Sequence, residues 1–413
     1  MSPAPPPQEH TTRSLSVALF ASVLLAGVAG GIAFPILPIV GIRLGLSVPF
    51  IGVILAANRA MRVVFSPFVG IVTDRWGGRR VLLLGLMLQV VVMGLYTLGI
   101  LLHRPGAFFL AGRLVHGPAS ACVFVSAQAM ALHVGGSEHG GRMAGTVRAS
   151  LVLGVPLGLF VGGLLSDAVG DAGAFGLAAL AVVFALLDAW RSVPDLRPPP
   201  VKRRPPILET LKAMRDRRLL AIGTLNFALS FAAGGMILTT LALLVHARHL
   251  SLFGRNEQAT GGLLMGLMTI VDAASTPIAG RIGDRWHAHA RVATAAIALL
   301  VPGLLVVGFA PTALGIGAGL VLVGMGAAGL SPSLLVLMGR IVPQAQRGTG
   351  TGLLQLCGDV GGTLGPLVGT ALFAGSTAIP YLLSAALLAC FVPVAASLVK
   401  YEREPALVPA APR

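Results

Sequence analysis

Charge is scarce in this sequence: Asp, Glu, Lys and Arg make up 11% of 413 residues, where soluble globular chains carry about 25%. Hydrophobic residues make up 55%. A water-soluble fold of this size cannot hide that much apolar surface, which excludes a soluble enzyme and a disordered chain. Cysteine is nearly absent. Cys122, Cys357 and Cys390 stand at unrelated spacings inside apolar runs, which excludes a disulfide framework and a metal site. Aromatics, 6% and mostly Phe, permit apolar or aromatic ligands without selecting one. No phosphate-cradling glycine loop with a lysine occurs, so nothing supports ATP drive. The nine histidines do not cluster as metal ligands or with a nucleophile at membrane depth, which argues against a membrane enzyme. No cofactor is implied.

What is abundant is long apolar runs, with 54 Gly and 28 Pro, a composition that suits membrane helices. A span needs about 20 apolar residues. That ruler gives spans at 15–40, 47–69, 81–102, 106–133, 143–166 and 172–190, then at 219–246, 258–280, 292–310, 312–339, 348–373 and 377–399. The first fourteen residues are polar and Pro-rich, and the run after them reaches Val40, too long for a signal-peptide core. It reads as a retained first span. The expected architecture is all-α: twelve membrane helices in two pseudo-symmetric six-helix bundles around a central cavity. The bundles occupy 1–190 and 219–400, with a Pro- and Arg-rich linker at 191–218 and a tail at 401–413.

The net charge of +15 would suit a nucleic acid, but distribution decides. Lys and Arg gather in short loops on one side. With both termini inside, 22 fall on inner segments and 4 (Arg43, Arg104, Arg248, Arg255) on outer ones. The positive-inside rule therefore puts both termini in the cytoplasm and leaves no role for nucleic acid.

The halves repeat each other. Pro67-Phe-Val-Gly70-Ile-Val-Thr-Asp74-Arg75-Trp76 matches Pro277-Ile-Ala-Gly280-Arg-Ile-Gly-Asp284-Arg285-Trp286 at an offset of 210. Gly154, Gly158 and Gly162 match Gly361, Gly365 and Gly369 at 207, and Ala29-Gly30-Gly31 matches Ala233-Gly234-Gly235 at 204. Such internal repeats often mark transporters.

On these residues the chain resembles the major facilitator superfamily over essentially its whole length. Gly70 to Arg80 is similar to that superfamily's loop signature between the second and third helices, Gly-x-x-x-Asp-Arg-x-Gly-Arg-Arg/Lys. Gly78 stands where a first Arg is usual, and Arg79 and Arg80 follow. Gly280 to Arg291 is a weaker echo. Arg113-Leu-Val-His116-Gly117 resembles the Arg-x-x-Gln-Gly element of proton-driven drug exporters, with His in the Gln position. Gly154 to Gly163 keeps the glycines of those exporters' fifth-helix motif with the proline shifted. The better match, with Pro366, falls in the eleventh span. The resemblance implies that Gly70, Asp74, Arg75, Gly77, Arg79 and Arg80, echoed by Gly280, Asp284 and Arg285, form a cytoplasmic conformational gate. The arginines are also open to reading as plain positive-inside anchors.

Charges inside spans carry the function, because each costs about 2.5–3.5 kcal/mol to insert. Arg62 lies eight residues before Gly70, roughly 12 Å along the helix, and its counterpart in the repeat is Asp272. Those two are expected to pair or to share a substrate site. Asn58 and Arg59 share the Arg62 face. Gln355 and Asp359 lie on one stripe of the eleventh span, and Arg113 and His116 on the fourth. Arg59 and Arg113 have the alternative of binding backbone carbonyls between helices, and His116 of packing as a polar group. Glycines four apart let helices approach closely in lipid, so Gly154, Gly158, Gly162, Gly361, Gly365 and Gly369 are expected to pack helices.

The expectation is a monomeric secondary transporter in a bacterial inner membrane. It exports a small organic molecule by alternating access in exchange for protons, with Asp272 and Asp359 the candidate acidic residues at mid-span. The alternatives are an importer or facilitator of a small organic anion or metabolite, and a receptor that binds ligand without moving it.

Overall fold

The computed structural model describes residues 9–195, 216–342 and 347–403. Most of the proposed linker and tail, and the side chains of Arg142 and Arg347, lie outside the described residues. Among the described residues every regular element is helical.

The first three spans are single helices, Glu9–Arg43, Val48–Trp76 and Gly78–Leu101. The second and third meet at Gly77, whose φ of +88° few side chains adopt, so the turn needs glycine there. The fourth to sixth spans run together in one helical stretch, Pro105–Ser192. It cannot be straight. Phe109 and Phe175 both pack on Tyr96, at ring-centroid distances of 6.0 and 5.1 Å, although a straight helix would hold them roughly 100 Å apart. Gly170, at φ +78°, supplies one reversal, between the fifth and sixth spans.

Eleven segments among the described residues are long and apolar enough to cross a membrane. One, Gly145–Ser192, has 48 residues, which is two crossings with Gly170 between them. The twelfth crossing is therefore inside a continuous stretch. The sixth span shows which side meets lipid: Leu177, Leu180, Phe184 and Leu187 form one exposed stripe at helical spacing. Leaving such a stripe uncovered would be costly in water and is free in a bilayer.

The seventh span is not a plain α-helix. Arg217–Leu229 passes into a π-helical segment, Ser230–Ile237, and then into Leu238–Ala247. The eighth to eleventh spans are Glu257–Arg285, His289–Phe309, Ala313–Ile341 and Arg347–Phe373. The twelfth is broken at Phe391 into Ile379–Cys390 and Val392–Arg403.

The chain divides into two compact units: residues 1–202 with 253–266, and residues 203–252 with 267–413. In the first unit the first span crosses the fifth through glycines. A Cβ added at Gly158 would overlap the carbonyl of Val28 and come 2.9 Å from Gly31 Cα, and one at Gly154 would lie 2.6 Å from Leu24 O. In the second unit the seventh span crosses the eleventh in the same way. A Cβ at Gly365 would lie 2.6 Å from Phe231 O and 2.7 Å from Gly235 Cα, and one at Gly361 would overlap Phe227 O. The π segment carries this contact. Gly162 abuts Ile32, Gly369 abuts Met236, and Pro366 is 3.0 Å from a Cβ built at Gly235. Helices held backbone to backbone need no large side chains between them, which suits lipid, where apolar burial drives little association.

Candidate functional site

Each unit holds polar side chains at mid-span, and the first unit gathers several of them around the fourth span. Gly117 brings it against the second: a Cβ there would lie 2.5 Å from Asn58 O and 2.9 Å from Arg62 N. One residue earlier, the His116 ring sits between Asn58 Nδ2, 3.4 Å from Nδ1, and Gln89 Nε2, 3.4 Å from Nε2. A neutral imidazole donates at one nitrogen and accepts at the other. Gln89 already donates 2.7 Å to Ala26 O, which fixes its amide nitrogen toward the ring, so Asn58 must turn its oxygen, otherwise unpartnered, to Nδ1–H. Gly30 leaves room for the ring: a Cβ built there would lie 3.2 Å from His116 Cε1.

Arg113 is 0% exposed, and its Nε, Nη1 and Nη2 have no hydrogen-bond partner among the described residues. Among those residues it binds no backbone carbonyl. Its guanidinium lies 5.0 Å from the Phe34 ring centroid and 5.9 Å from that of Tyr96. Two cation–π contacts contribute about 0.5–2 kcal/mol each. Leaving a buried cation without hydrogen bonds costs more than that, several kcal/mol even after relaxation.

Arg59 and Arg62 are half-buried on the second span, and Ser66 donates to Arg62 O at 2.6 Å. In the second unit Asp359 is 6% exposed beside the crossing of the seventh and eleventh spans, where Asn226 donates 2.7 Å to Leu354 O. Thr363 donates to Asp359 O at 2.7 Å, and Gln355, one turn earlier, is exposed. Asp272 is half-buried, with Thr276 donating to its carbonyl at 2.9 Å.

At the end of the second span Gly70 is buried and Asp74 half-buried. Arg75 is exposed, while Arg79 donates 2.5 Å to Trp190 O and Arg80 lies 3.9 Å from Asp195. These two arginines hold the end of the sixth span. The echo in the second unit is built differently. Gly280 has open space around it, and Asp284 lies 3.0 Å from His289 Nε2, with Arg285 exposed. Glu402, 5% exposed on its side chain, accepts from the backbone N–H groups of His289 (2.8 Å) and Ala290 (2.9 Å) and from Arg340 (3.0 Å). It caps the ninth span with a negative charge where the helix dipole favours one. Glu402→Ala is expected to remove about 1–2 kcal/mol and lower the unfolding temperature in detergent, and Glu402→Gln to recover only part.

A polar cluster absent from the sequence reading lies at the other end of the first unit. Residues 257–266 rest on the fifth span: Gly262 is 2.6 Å (as a built Cβ) from Leu159 O, and Gly163 is 2.9 Å from Ala259 Cα. Around this contact Arg255 pairs with Asp167 at 2.9 Å, and Arg43 lies 3.8 Å from Asp171 and 3.6 Å from Glu257. Gln258 bridges Arg43, at 3.3 Å, and Asp171, at 3.2 Å. Loop charges carry no periodicity, so only folding pairs residues 88 apart, as it does Asp167 and Arg255. Gln89 was legible as a lone amide in an apolar run, and Glu402 as an acid just past the last span.

Duplicated helix pairs locked through glycine, with ionisable side chains held inside them, make a helical membrane protein of two related halves. The profile of the Major Facilitator Superfamily matches residues 19–366, and again 255–413, and the chain belongs to that superfamily. The multi-drug resistance efflux pump PmrA of Streptococcus pneumoniae is 25% identical over 367 residues, 87% of this chain and 88% of that protein. Human major facilitator superfamily domain-containing protein 10 is 27% identical over 354 residues, covering 79% and 74%. Its crystal structure, described as that of an organic anion transporter, superposes with a TM-score of 0.66 at 21% identity over 93% of this chain and 99% of that one. A bacterial homologue of the human lysosomal transporter Spinster, inward-facing and unoccupied, superposes with a TM-score of 0.79 at 12% identity, covering 97% and 100%.

Proposed function

We propose that the protein exports a small organic molecule by alternating access in exchange for protons, as a monomer in a bacterial inner membrane with both termini cytoplasmic. The observation that carries this is Asp359, a carboxylate 6% exposed at mid-span in a helix otherwise rich in glycine and apolar residues. A buried carboxylate that takes up and gives back a proton is what coupling needs, and insertion cost disfavours keeping one without use. Asp272 is the second candidate. Arg62, Arg59, Asn58, His116 and Gln355 are assigned to substrate or proton coupling. The Asp74 loop with Arg75, Arg79 and Arg80, and its echo at Asp284 and Arg285, is assigned to the cytoplasmic gate. The bundles are taken as 1–190 and 219–400. The likeness to an efflux pump over most of both chains supports export.

The test is uptake of lipophilic cations and neutral drugs into energised inverted vesicles, with and without a protonophore. Wild-type uptake should collapse with the protonophore. Asp359→Asn should lose most of its pH-gradient dependence, and Asp272→Asn part of it. Transport by both variants that still follows the pH gradient in full would sink the assignment. A second reading, passage of a small organic anion, is favoured by Arg113, a buried cation with no carboxylate beside it.

A further inference from the structure

We infer that Arg113 is the seat for the oxyanion of a substrate that also carries an apolar or aromatic body. The inference rests on the transport reading above and supplies the substrate's chemistry. Three observations converge. The guanidinium is fully buried and all three of its nitrogens lack a hydrogen-bond partner among the described residues. A guanidinium presents five N–H donors in a planar fork matched to a carboxylate or sulfonate. Here that fork is unused.

Among the described residues no carboxylate bonds to it. Between residues 10 and 137 the only Asp or Glu is Asp74, sixteen residues from Asn58, roughly 24 Å along the second span. With no carboxylate bonded to Arg113 among the described residues, the negative charge is left for a bound ligand to supply. Nor does the fold require an arginine at this place. At the repeat offsets of 207 and 210 the corresponding positions are Leu320 and Val323, both 0% exposed, so the second half fills the same place with aliphatic side chains.

The neighbours fit an amphipathic anion. Phe34, half-buried on the first span, lies over the guanidinium and is the side chain whose rotation would uncover it. Tyr96 backs the guanidinium from the other helix, with a hydroxyl that also lacks a partner among the described residues and is free to donate to a second oxygen. Once turned aside, the Phe34 ring would stack on a flat apolar body as the anionic group reaches Arg113.

The experiment uses the full-length protein, purified in detergent and reconstituted in proteoliposomes, with a matched pair of probes: 2-naphthalenesulfonate and 2-naphthylmethylammonium. The sulfonate should raise the unfolding temperature in a saturable way and the ammonium should not. Arg113→Met should bind the sulfonate at least tenfold more weakly while unfolding no earlier than wild type, since it removes a buried unpaired charge. Should Arg113→Met not accumulate as folded protein, Phe34→Ala decides. It should weaken naphthalenesulfonate about tenfold and leave methanesulfonate, which has no ring, unchanged. Sulfonate stabilisation that survives in Arg113→Met, equal stabilisation by the ammonium, or a shift reproduced in full by sodium chloride at the same concentration would each overturn the seat. A variant Phe34→Ala with unaltered naphthalenesulfonate affinity would do so as well. Counterflow of labelled probe separates the two claims. Movement of the ammonium with no sulfonate binding removes the seat and keeps the transporter, and sulfonate binding without counterflow does the reverse.

Discussion

Gly158→Leu is expected to leave no folded protein. The first and fifth spans approach so closely that a Cβ at position 158 would overlap the Val28 carbonyl and lie 2.9 Å from Gly31 Cα. Both obstacles are backbone, which cannot rotate aside as a side chain can. Overpacking among side chains typically costs 1–3 kcal/mol, and here the two helices themselves must separate, so the cost exceeds that range. Gly365→Leu should fail in the same way, because a Cβ there lies 2.6 Å from Phe231 O and 2.7 Å from Gly235 Cα. Gly94→Leu is the control, a glycine of the third span with nothing within 4 Å. The measurement is size-exclusion elution of tagged protein from detergent-solubilised membranes. The control should give a monodisperse peak, and the two variants aggregate or no protein. A normal peak from Gly158→Leu would remove the backbone contact from the account.

Gly262→Leu should do the opposite: a well-folded protein that does not transport. A Cβ at 262 would lie 2.6 Å from Leu159 O and 3.1 Å from Gly163 Cα, so residues 257–266 could not rest on the fifth span. Unlike Gly158, Gly262 does not hold together neighbouring spans of one bundle. It lies between residues 257–266 and the fifth span, within the first compact unit, a contact that the proposed alternating access would make and break. Transport should fall at least tenfold with elution unchanged. The charges around the contact matter less. Arg43 and Arg255 are half-exposed, at 46% and 52%, and ion pairs of that kind contribute about 0–1 kcal/mol. Asp167→Asn should accordingly slow transport by no more than a few-fold. If Asp167→Asn proved as damaging as Gly262→Leu, electrostatics rather than close backbone contact would govern the closure.

Much of this was legible in the sequence, and the reason is lipid. A bilayer forces each crossing to be a long apolar helix, so the spans stand out as runs, and the twelfth is recovered once Gly170 is seen to divide Gly145–Ser192. Close helix contact in lipid needs small residues, so the repeated glycines pointed to the faces that meet. Arg113 and His116 were visible because polar groups in apolar runs are expensive. Their surroundings were not: the amides of Asn58 and Gln89 on either side of His116 come from two other spans, and the absence of a partner for Arg113 is a fact of three dimensions. Asp171 and Gln258, in loops or at helix ends, meet only through folding. Glu402 likewise finds the ninth span 113 residues back. The wide turns of Ser230–Ile237 left no trace in composition, because that segment is as apolar and glycine-bearing as its α-helical counterpart in the first span.

That segment also bears on ancestry. Two halves that began as copies shared one geometry for the helix now pressed against its glycine-rich partner. In the first half it stayed α-helical from Glu9 to Arg43, while in the second each N–H between Ser230 and Ile237 reaches one residue further back. A helix wound this way carries a residue more per turn than its sister, and everything beyond it is turned by that amount. One half thus carries this helix as a continuous α-helix, with Pro35 and Pro38 inside it, and the other carries it with a π-helical insert. The two halves are therefore not interchangeable: a substitution tolerated at Gly31 need not be tolerated at Gly235, although the two positions correspond in the repeat.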